Sequence, residues 1–195
     1  YDKNRTFFKT MSPSMDILIS SNLERLLYEL TGRDDAHTGR LMEELKSAGQ
    51  YRISEEMHTA LSRQFWGAYA SEGDTARSVR DTFHEQGVLI DPHTAVGMHV
   101  ARLYREETGD TRPMLVASTA SPFKFAPDVL ACLGHEPTGD PDGDIEKLSA
   151  LSGEAPPEPL VGLSGRPVCH HTVCEQEEMA GVIDRFLHHR PEGLS

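Results

Sequence analysis

The sequence has few positive charges and no long apolar run, and these two absences exclude several classes of protein. Only 19 residues are Lys or Arg, against 31 Asp or Glu, and the net charge is −12 at pH 7. Nucleic-acid binding requires clustered Lys and Arg that neutralise phosphates, so no nucleic-acid partner is expected. The longest apolar run, around residues 15–19, is far shorter than the ~18–20 residues that a membrane-spanning helix needs. We therefore expect no membrane partner either.

Cysteine is also scarce, with three residues in a chain of 195. Cys132, Cys169 and Cys174 show no disulfide-framework spacing, which is typical of a reducing compartment, so a cytoplasmic location is expected. The last two enclose a His pair in the run Cys169-His-His-Thr-Val-Cys174. Four possible ligands within six residues fit one tetrahedral ion poorly, and no second ligand pair occurs elsewhere. No metal site is predicted.

The central part of the chain shows a strand followed by a helix. The apolar run Val88–Ile90 predicts a short buried strand. Asp91 follows as a helix N-cap and Pro92 stands at the first helical position, where its missing N–H costs nothing. Apolar residues then recur at helical spacing until Gly109, which ends the helix.

A second predicted strand carries the clearest candidate ligand contacts. Met114–Ala117 is apolar and leads directly into Ser118 and Thr119. In open α/β sheets, ligands bind at the carboxyl ends of the strands. The two hydroxyls are therefore candidates for contact with a bound molecule.

Composition divides the chain into two parts. Residues 134–144 are rich in Gly, Pro and Asp, and prolines at positions 156, 157 and 159 indicate an extended linker. An amphipathic helix is predicted from Glu175 to His189. We predict a core formed by residues 1–135, followed by a linker and closing helix in residues 136–195.

Three runs together resemble a known enzyme family. Thr10-Met-Ser-Pro-Ser-Met-Asp-Ile17, Asp91-Pro-His-Thr-Ala-Val-Gly97 and Ser118-Thr-Ala-Ser-Pro-Phe-Lys-Phe125 are similar to the carboxyl-terminal part of threonine synthase. The resemblance implies a fold-type-II enzyme of the α/β class that depends on pyridoxal phosphate (PLP), with helices packed on a partial, mostly parallel sheet. It implies a carbon–oxygen lyase acting on phosphates, which converts O-phospho-L-homoserine and water into L-threonine and phosphate in threonine biosynthesis.

The resemblance also implies roles for the strand-end hydroxyls. This group of PLP enzymes holds the ring nitrogen of the cofactor with a hydroxyl, which leaves the ring mostly neutral, instead of with a carboxylate. The family pattern Ser-Thr-Ala-x-Pro-x-Lys-Phe matches Ser118 to Phe125, so Thr119, with Ser118 beside it, is expected to bind the cofactor. Ser121 stands where the family often has His, which puts a side-chain role at that position in doubt.

Four further residues are implied as substrate contacts: Asp16, His93, Thr94 and Lys124. The resemblance places the helix that begins at Pro92 beside the cofactor, where free N–H groups at its amino terminus would face an anion. Each assignment has a structural alternative. Asp16 is equally suited to closing a turn, and the N-cap role of Asp91 explains its run without any ligand.

The resemblance places the family's Schiff-base lysine and phosphate-binding loop upstream of Tyr1. The five lysines of the chain are Lys3, Lys9, Lys46, Lys124 and Lys147, and none lies in the expected sequence context. We therefore expect no catalytic residue here, an inactive fragment, and a partner in the missing amino-terminal part of the same protein. Two alternatives remain open: a threonine-synthase-like phospholyase that releases phosphate without forming threonine, and a non-catalytic acidic binding module.

Overall fold

The computed structural model describes residues 1–188, and this part of the chain is almost entirely helical. It contains eight α-helices: α1 (Ser21–Leu30), α2 (Asp35–Ala48), α3 (Glu55–Gln64), α4 (Glu72–Gln86), α5 (Pro92–Thr108), α6 (Ala126–Cys132), α7 (Pro141–Ser152) and α8 (Met179–His188). Short 3-10 helices lie at Pro13–Met15, Pro122–Phe125, Glu158–Leu160, Leu163–Gly165 and Gln176–Glu178. None of the helices within residues 1–188 combines the length and apolarity that crossing a membrane requires.

The predicted mostly parallel sheet is not found within residues 1–188. Their only β pairing is an isolated antiparallel bridge between Asp2 and Gln50. Val88–Ile90 and Met114–Ala117 contain no strand structure. A strand persists only where a neighbouring strand pairs its N–H and C=O groups, and neither segment has such a neighbour in the described part of the chain. Leu115, in the second segment, is 99% exposed.

The chain divides into two compact units, one formed by Tyr1–Val161 and one beginning at Gly162. The first unit contains α1 to α7. It includes α7, which packs against α6, so this division falls later than the predicted core boundary at residue 135.

The second unit contains α8, which begins at Met179 after a 3-10 turn. Glu175 and Glu178 form a capping box at the start of this turn. The closing helix predicted from Glu175 is therefore present, with a 3-10 first turn. Its predicted last residue, His189, lies outside the described residues.

Two hydrophobic cores stabilise the first unit. The larger is built from α4, α5, α6 and α7, and the side chains of Val79, Val129, Leu130 and Leu148 are fully buried in it. The smaller lies between α1, α2 and α3 and contains Leu27, Leu41, Leu45, Tyr51 and Met57. The larger core holds α5 in place, and the candidate site is built around the first turn of this helix.

The position of α5 brings the 114–118 segment close to its amino-terminal half. Asp91 is the N-cap of α5, and Gly109 ends the helix in the left-handed conformation at φ 69°. A Cβ atom on Gly97 would lie only 3.3 Å from Val116 Cγ1. Glycine at this position therefore lets the segment that carries Ser118 approach the helix.

Candidate functional site

The amino terminus of α5 is fully hydrogen-bonded by its own N-cap residue. Asp91 is 0% exposed, and its Oδ1 atom accepts from His93 N at 2.9 Å and Thr94 N at 3.2 Å. Ala95 N donates to the Asp91 carbonyl at 2.9 Å, and Pro92 has no N–H. The expectation that this helix terminus offers free N–H groups to an anion is therefore wrong.

The side chain of Thr94 connects Asp91 to Ser118. Thr94 Oγ1 donates to Asp91 Oδ2 at 2.5 Å and lies 3.1 Å from Ser118 Oγ. A hydroxyl has one proton, and Thr94 gives its proton to the carboxylate. The proton between Thr94 and Ser118 must therefore come from Ser118, so the orientation of the Ser118 hydroxyl is set by the buried cap.

Thr119 differs from Ser118 in having no side-chain hydrogen-bond partner in the described part of the chain. Both residues are exposed, but only Ser118 makes a side-chain hydrogen bond within residues 1–188. The Thr119 hydroxyl can thus either donate to or accept from a bound molecule. Of the two hydroxyls that the sequence predicted at the site, it is the one whose hydrogen-bonding capacity remains available.

A second part of the site is the loop formed by residues 10–16. Asp16 Oδ2 accepts from Thr10 N at 2.8 Å, and Asp16 Oδ1 accepts from Thr10 Oγ1 at 2.7 Å. Ser12 N donates to Thr10 Oγ1 at 3.1 Å. Asp16 thus closes the loop, as the structural alternative had it. Each carboxylate oxygen has a further acceptor position, so substrate contact by Asp16 stays a prediction.

The loop reaches α5 through a buried hydrogen bond between Ser12 and His93. Ser12 Oγ and His93 Nδ1 are 2.6 Å apart, and the two residues are 2% and 7% exposed. The Phe125 ring and the imidazole pack in a T-shaped arrangement, with 4.9 Å between ring centroids and planes at 81°. Sequence reasoning did not select Ser12, although it lies in the middle of the first of the three runs.

Two further contacts fix the loop to the larger core. Met11 N donates to Glu72 Oε1 at 3.0 Å, and Cys132 Sγ donates to Met11 Sδ at 3.7 Å. Burial, with smaller effects from the charges of Asp128 and Glu72, raises the pKa of the Cys132 thiol to about 11. Cys132 is therefore a protonated, structural thiol beneath the loop.

Lys124 lies at the edge of this arrangement. It belongs to the 3-10 helix Pro122–Phe125, between the buried ring of Phe123 and the Phe125 ring that contacts His93. The Lys124 side chain is exposed. Ser121 Oγ accepts from Phe123 N at 3.3 Å, so the residue that departs from the family pattern caps this short helix.

The structure thus joins all three runs that the sequence singled out. Ser12 contacts His93, Phe125 contacts His93, and Thr94 contacts Ser118, which together connect segments far apart in the chain. The Cys169–Cys174 run was considered above as a possible source of metal ligands. No group of three or more His, Cys, Asp or Glu side chains in residues 1–188 is arranged to hold a metal ion.

Comparison with known proteins gives a consistent family match. Residues 94–182 match the family model described as threonine synthase, C-terminal. Threonine synthase of Pseudomonas aeruginosa is 36% identical over 138 residues, which are 70% of this chain and 29% of that protein. Human threonine synthase-like 1 is 35% identical over 134 residues, 68% of this chain and 18% of the relative.

A solved structure shows the same relationship. The crystal structure of PLP-bound threonine synthase from Brucella melitensis matches with a TM-score of 0.63 and 41% identity, covering 73% of this chain and 30% of that one. The chain therefore spans less than a third of the length of each of these relatives.

Proposed function

The chain belongs to the threonine synthase family, as its carboxyl-terminal portion, and we propose that it forms one wall of a PLP-dependent active site in a longer protein. The complete protein would convert O-phospho-L-homoserine and water into L-threonine and phosphate. One observation carries this proposal: the three runs typical of the family meet around the first turn of α5, through the Ser12–His93 and Thr94–Ser118 contacts.

The residues of the chain fit one edge of PLP, the edge with the ring nitrogen. PLP, when bound, supplies the electron-withdrawing ring that this chemistry requires. A neutral ring nitrogen needs a hydrogen-bond donor. Ser118 gives its proton to Thr94, whereas Thr119 has no internal partner in the described residues. This difference supports Thr119 as the donor to the ring nitrogen and Ser118 as the neighbour that shapes the same edge.

Four residues would face the substrate. His93 Nε2 has no hydrogen-bond partner among the described residues, and the Lys124 side chain is exposed. Both suit an anionic substrate with a carboxylate and a phosphate. Thr94 and Asp16 already hold internal partners. Their contribution to substrate binding would use only the acceptor positions that these hydrogen bonds leave free.

The remaining requirements of PLP chemistry would come from the rest of the longer protein. A lysine amine that would attach the cofactor and N–H groups that would hold its phosphate are both needed. The first-turn N–H groups of α5 are engaged by Asp91, and Lys3 and Lys147 donate to the backbone carbonyls of Lys46 and Glu136. We therefore propose that the reactive lysine and the phosphate loop lie upstream, and that residues 1–195 alone are inactive.

The rest of the protein would also complete the sheet. The segment Val88–Ile90 directly precedes the N-cap of α5, and the segment Met114–Ala117 directly precedes Ser118. Strands contributed by the upstream part would pair with these segments, cover the exposed Leu115 side chain, and place Ser118 and Thr119 at the carboxyl edge of a mostly parallel sheet. The three free thiols support a cytoplasmic location for such an enzyme.

The proposal is tested by assaying the full-length protein with O-phosphohomoserine and measuring phosphate, threonine and 2-oxobutanoate. Threonine formed in equal amount to phosphate supports a threonine synthase. Phosphate with 2-oxobutanoate and no threonine identifies the phospholyase. No phosphate release with a PLP-loaded protein favours the binding module.

A further inference from the structure

The hydrogen bond between Ser12 and His93 determines which nitrogen of the imidazole carries the proton. Ser12 Oγ is buried and has His93 Nδ1 as its only hydrogen-bond partner among residues 1–188. If Nδ1–H donated to Ser12, the proton of the serine hydroxyl would be left buried without an acceptor, which is unfavourable. The arrangement in which Ser12 donates to Nδ1 satisfies both groups. The neutral ring then carries its proton on Nε2.

The loop below Ser12 fixes the position of the Ser12 hydroxyl relative to the imidazole. Asp16 holds Thr10 through the backbone N–H and the hydroxyl of that residue, and Thr10 Oγ1 accepts from Ser12 N. The Phe125 ring packs against the imidazole in a T-shaped arrangement and restricts its rotation. The ring therefore has one orientation, with Nδ1 turned toward the protein and Nε2 left without a partner in the described part of the chain.

From this geometry we propose that Ser12 is a positioning residue that makes His93 an obligatory Nε2–H donor to an anionic oxygen of the substrate. The inference rests on the proposed function for the identity of the ligand. The anionic oxygen belongs either to the phosphate or to the carboxylate of O-phosphohomoserine, because both present the same acceptor chemistry. Asp16 contributes to the same positioning indirectly, because its hydrogen bonds to Thr10 hold the loop that carries Ser12.

The first test reads the tautomer directly in the full-length protein. Histidine is labelled with ¹⁵N, the His93 signals are identified by their loss in His93→Gln, and spectra are recorded at a pH where the imidazole is neutral. A single tautomer protonated at Nε2 is expected in the wild type. Ser12→Ala should add a population protonated at Nδ1, whereas Ser14→Ala, an exposed serine of the same loop, should change nothing and Ser12→Thr should restore the single tautomer. A wild-type His93 protonated at Nδ1 would overturn the proposal.

The second test locates the acceptor. Inhibition constants of inorganic phosphate and of L-homoserine are measured for the wild type, His93→Leu and His93→Gln. A hydrogen bond to a charged group corresponds to a weakening of about 10- to 100-fold when it is lost. A weakening confined to phosphate in His93→Leu assigns the contact to the phosphate, and one confined to homoserine assigns it to the carboxylate. His93→Gln, which retains an N–H donor, should recover part of the affinity.

Unchanged constants for both inhibitors in His93→Leu would contradict the substrate contact. The two claims fail separately, because the tautomer is read without any turnover. A protein that forms no threonine but shows the Nε2–H tautomer would refute the proposed reaction and leave the role of Ser12 intact.

Discussion

Thr94 Oγ1 lies 3.1 Å from Ser118 Oγ, and this contact joins the first turn of α5 to the segment that follows Met114–Ala117. The contact depends on Asp91, whose carboxylate takes the only proton of Thr94 and turns the Ser118 proton toward the helix. A buried helix cap thereby commits the Ser118 proton to an internal hydrogen bond. The adjacent hydroxyl of Thr119 has no hydrogen-bond partner within residues 1–188.

Replacing Asp91 with Ala should destabilise the protein more than the loss of an ordinary helix cap. An exposed cap contributes about 0.5–2 kcal/mol, but Asp91 is fully buried, and its removal leaves two backbone N–H groups without an acceptor and takes away the carboxylate partner of the Thr94 hydroxyl. We expect a loss of roughly 2–4 kcal/mol in the free energy of unfolding, measured by denaturant titration.

Asp140→Ala is the matched control, because Asp140 is an exposed N-cap whose side chain, within residues 1–188, accepts a hydrogen bond only from Gly143 N. Its expected cost is about 1 kcal/mol. If the two variants were equally stable and only Asp91→Ala lost activity, Asp91 would have a direct catalytic role instead of a structural one.

Thr119→Val should preserve the fold and lower turnover in the full-length protein. The substitution keeps the shape of the side chain and removes the hydroxyl that we assign to the ring nitrogen. We expect kcat to fall by about tenfold or more, which corresponds to the loss of one hydrogen bond. Thr119→Ser should recover most of the activity, and Thr111→Val, an exposed threonine nearby in sequence, should have no effect. Full activity in Thr119→Val would remove this residue from the cofactor site.

Cys132 should react slowly with thiol reagents in the folded chain. Burial raises its pKa from 9.0 to about 11, so at neutral pH its thiolate fraction is roughly 100-fold smaller than that of an unperturbed thiol. Alkylation by iodoacetamide, followed by peptide mass spectrometry, should label the exposed Cys169 first. The reaction of Cys132 should accelerate as the pH rises toward 11. Equal labelling of both residues at pH 7 would show that the loop does not cover Cys132.

Leu115 should be unimportant in the 195-residue chain and important in the longer protein. Its side chain is 99% exposed here, so Leu115→Ala should change the free energy of unfolding of this chain by less than about 0.5 kcal/mol. If upstream strands cover the segment, the same substitution should cost about 2–5 kcal/mol in the full-length protein. Leu130→Ala, at a fully buried position, should be costly in both. A neutral Leu115→Ala in both proteins would speak against the completed sheet.

The sequence predicted the local features of the site well, because caps and helix ends depend on neighbouring residues. Asp91 as N-cap, Pro92 as the first helical residue and Gly109 as the end of α5 are all confirmed. Val88–Ile90 and Met114–Ala117 do not form the predicted strands within residues 1–188. Strand formation needs a partner segment, often distant in sequence, and none is found in this part of the chain. The apolar runs in the sequence indicate extended segments, but they do not identify the segments that would pair with them.

The contact between Ser12 and His93 could not be predicted from the sequence for a related reason. Its partner, His93, is 81 positions away, and no periodicity connects the two. The prediction of free N–H groups at the start of α5 was wrong for another reason. The sequence identifies Asp91 as the N-cap, but it does not show that the carboxylate accepts from both His93 N and Thr94 N. Only the structure shows which residues distant in sequence are in contact and how many donors each acceptor binds.

The most direct test of the account is the product ratio of the full-length, PLP-loaded protein acting on O-phosphohomoserine. We expect one L-threonine for each phosphate released, and no release of phosphate by residues 1–195 alone under the same conditions. Phosphate release without threonine, or turnover by the 195-residue chain alone, would contradict it.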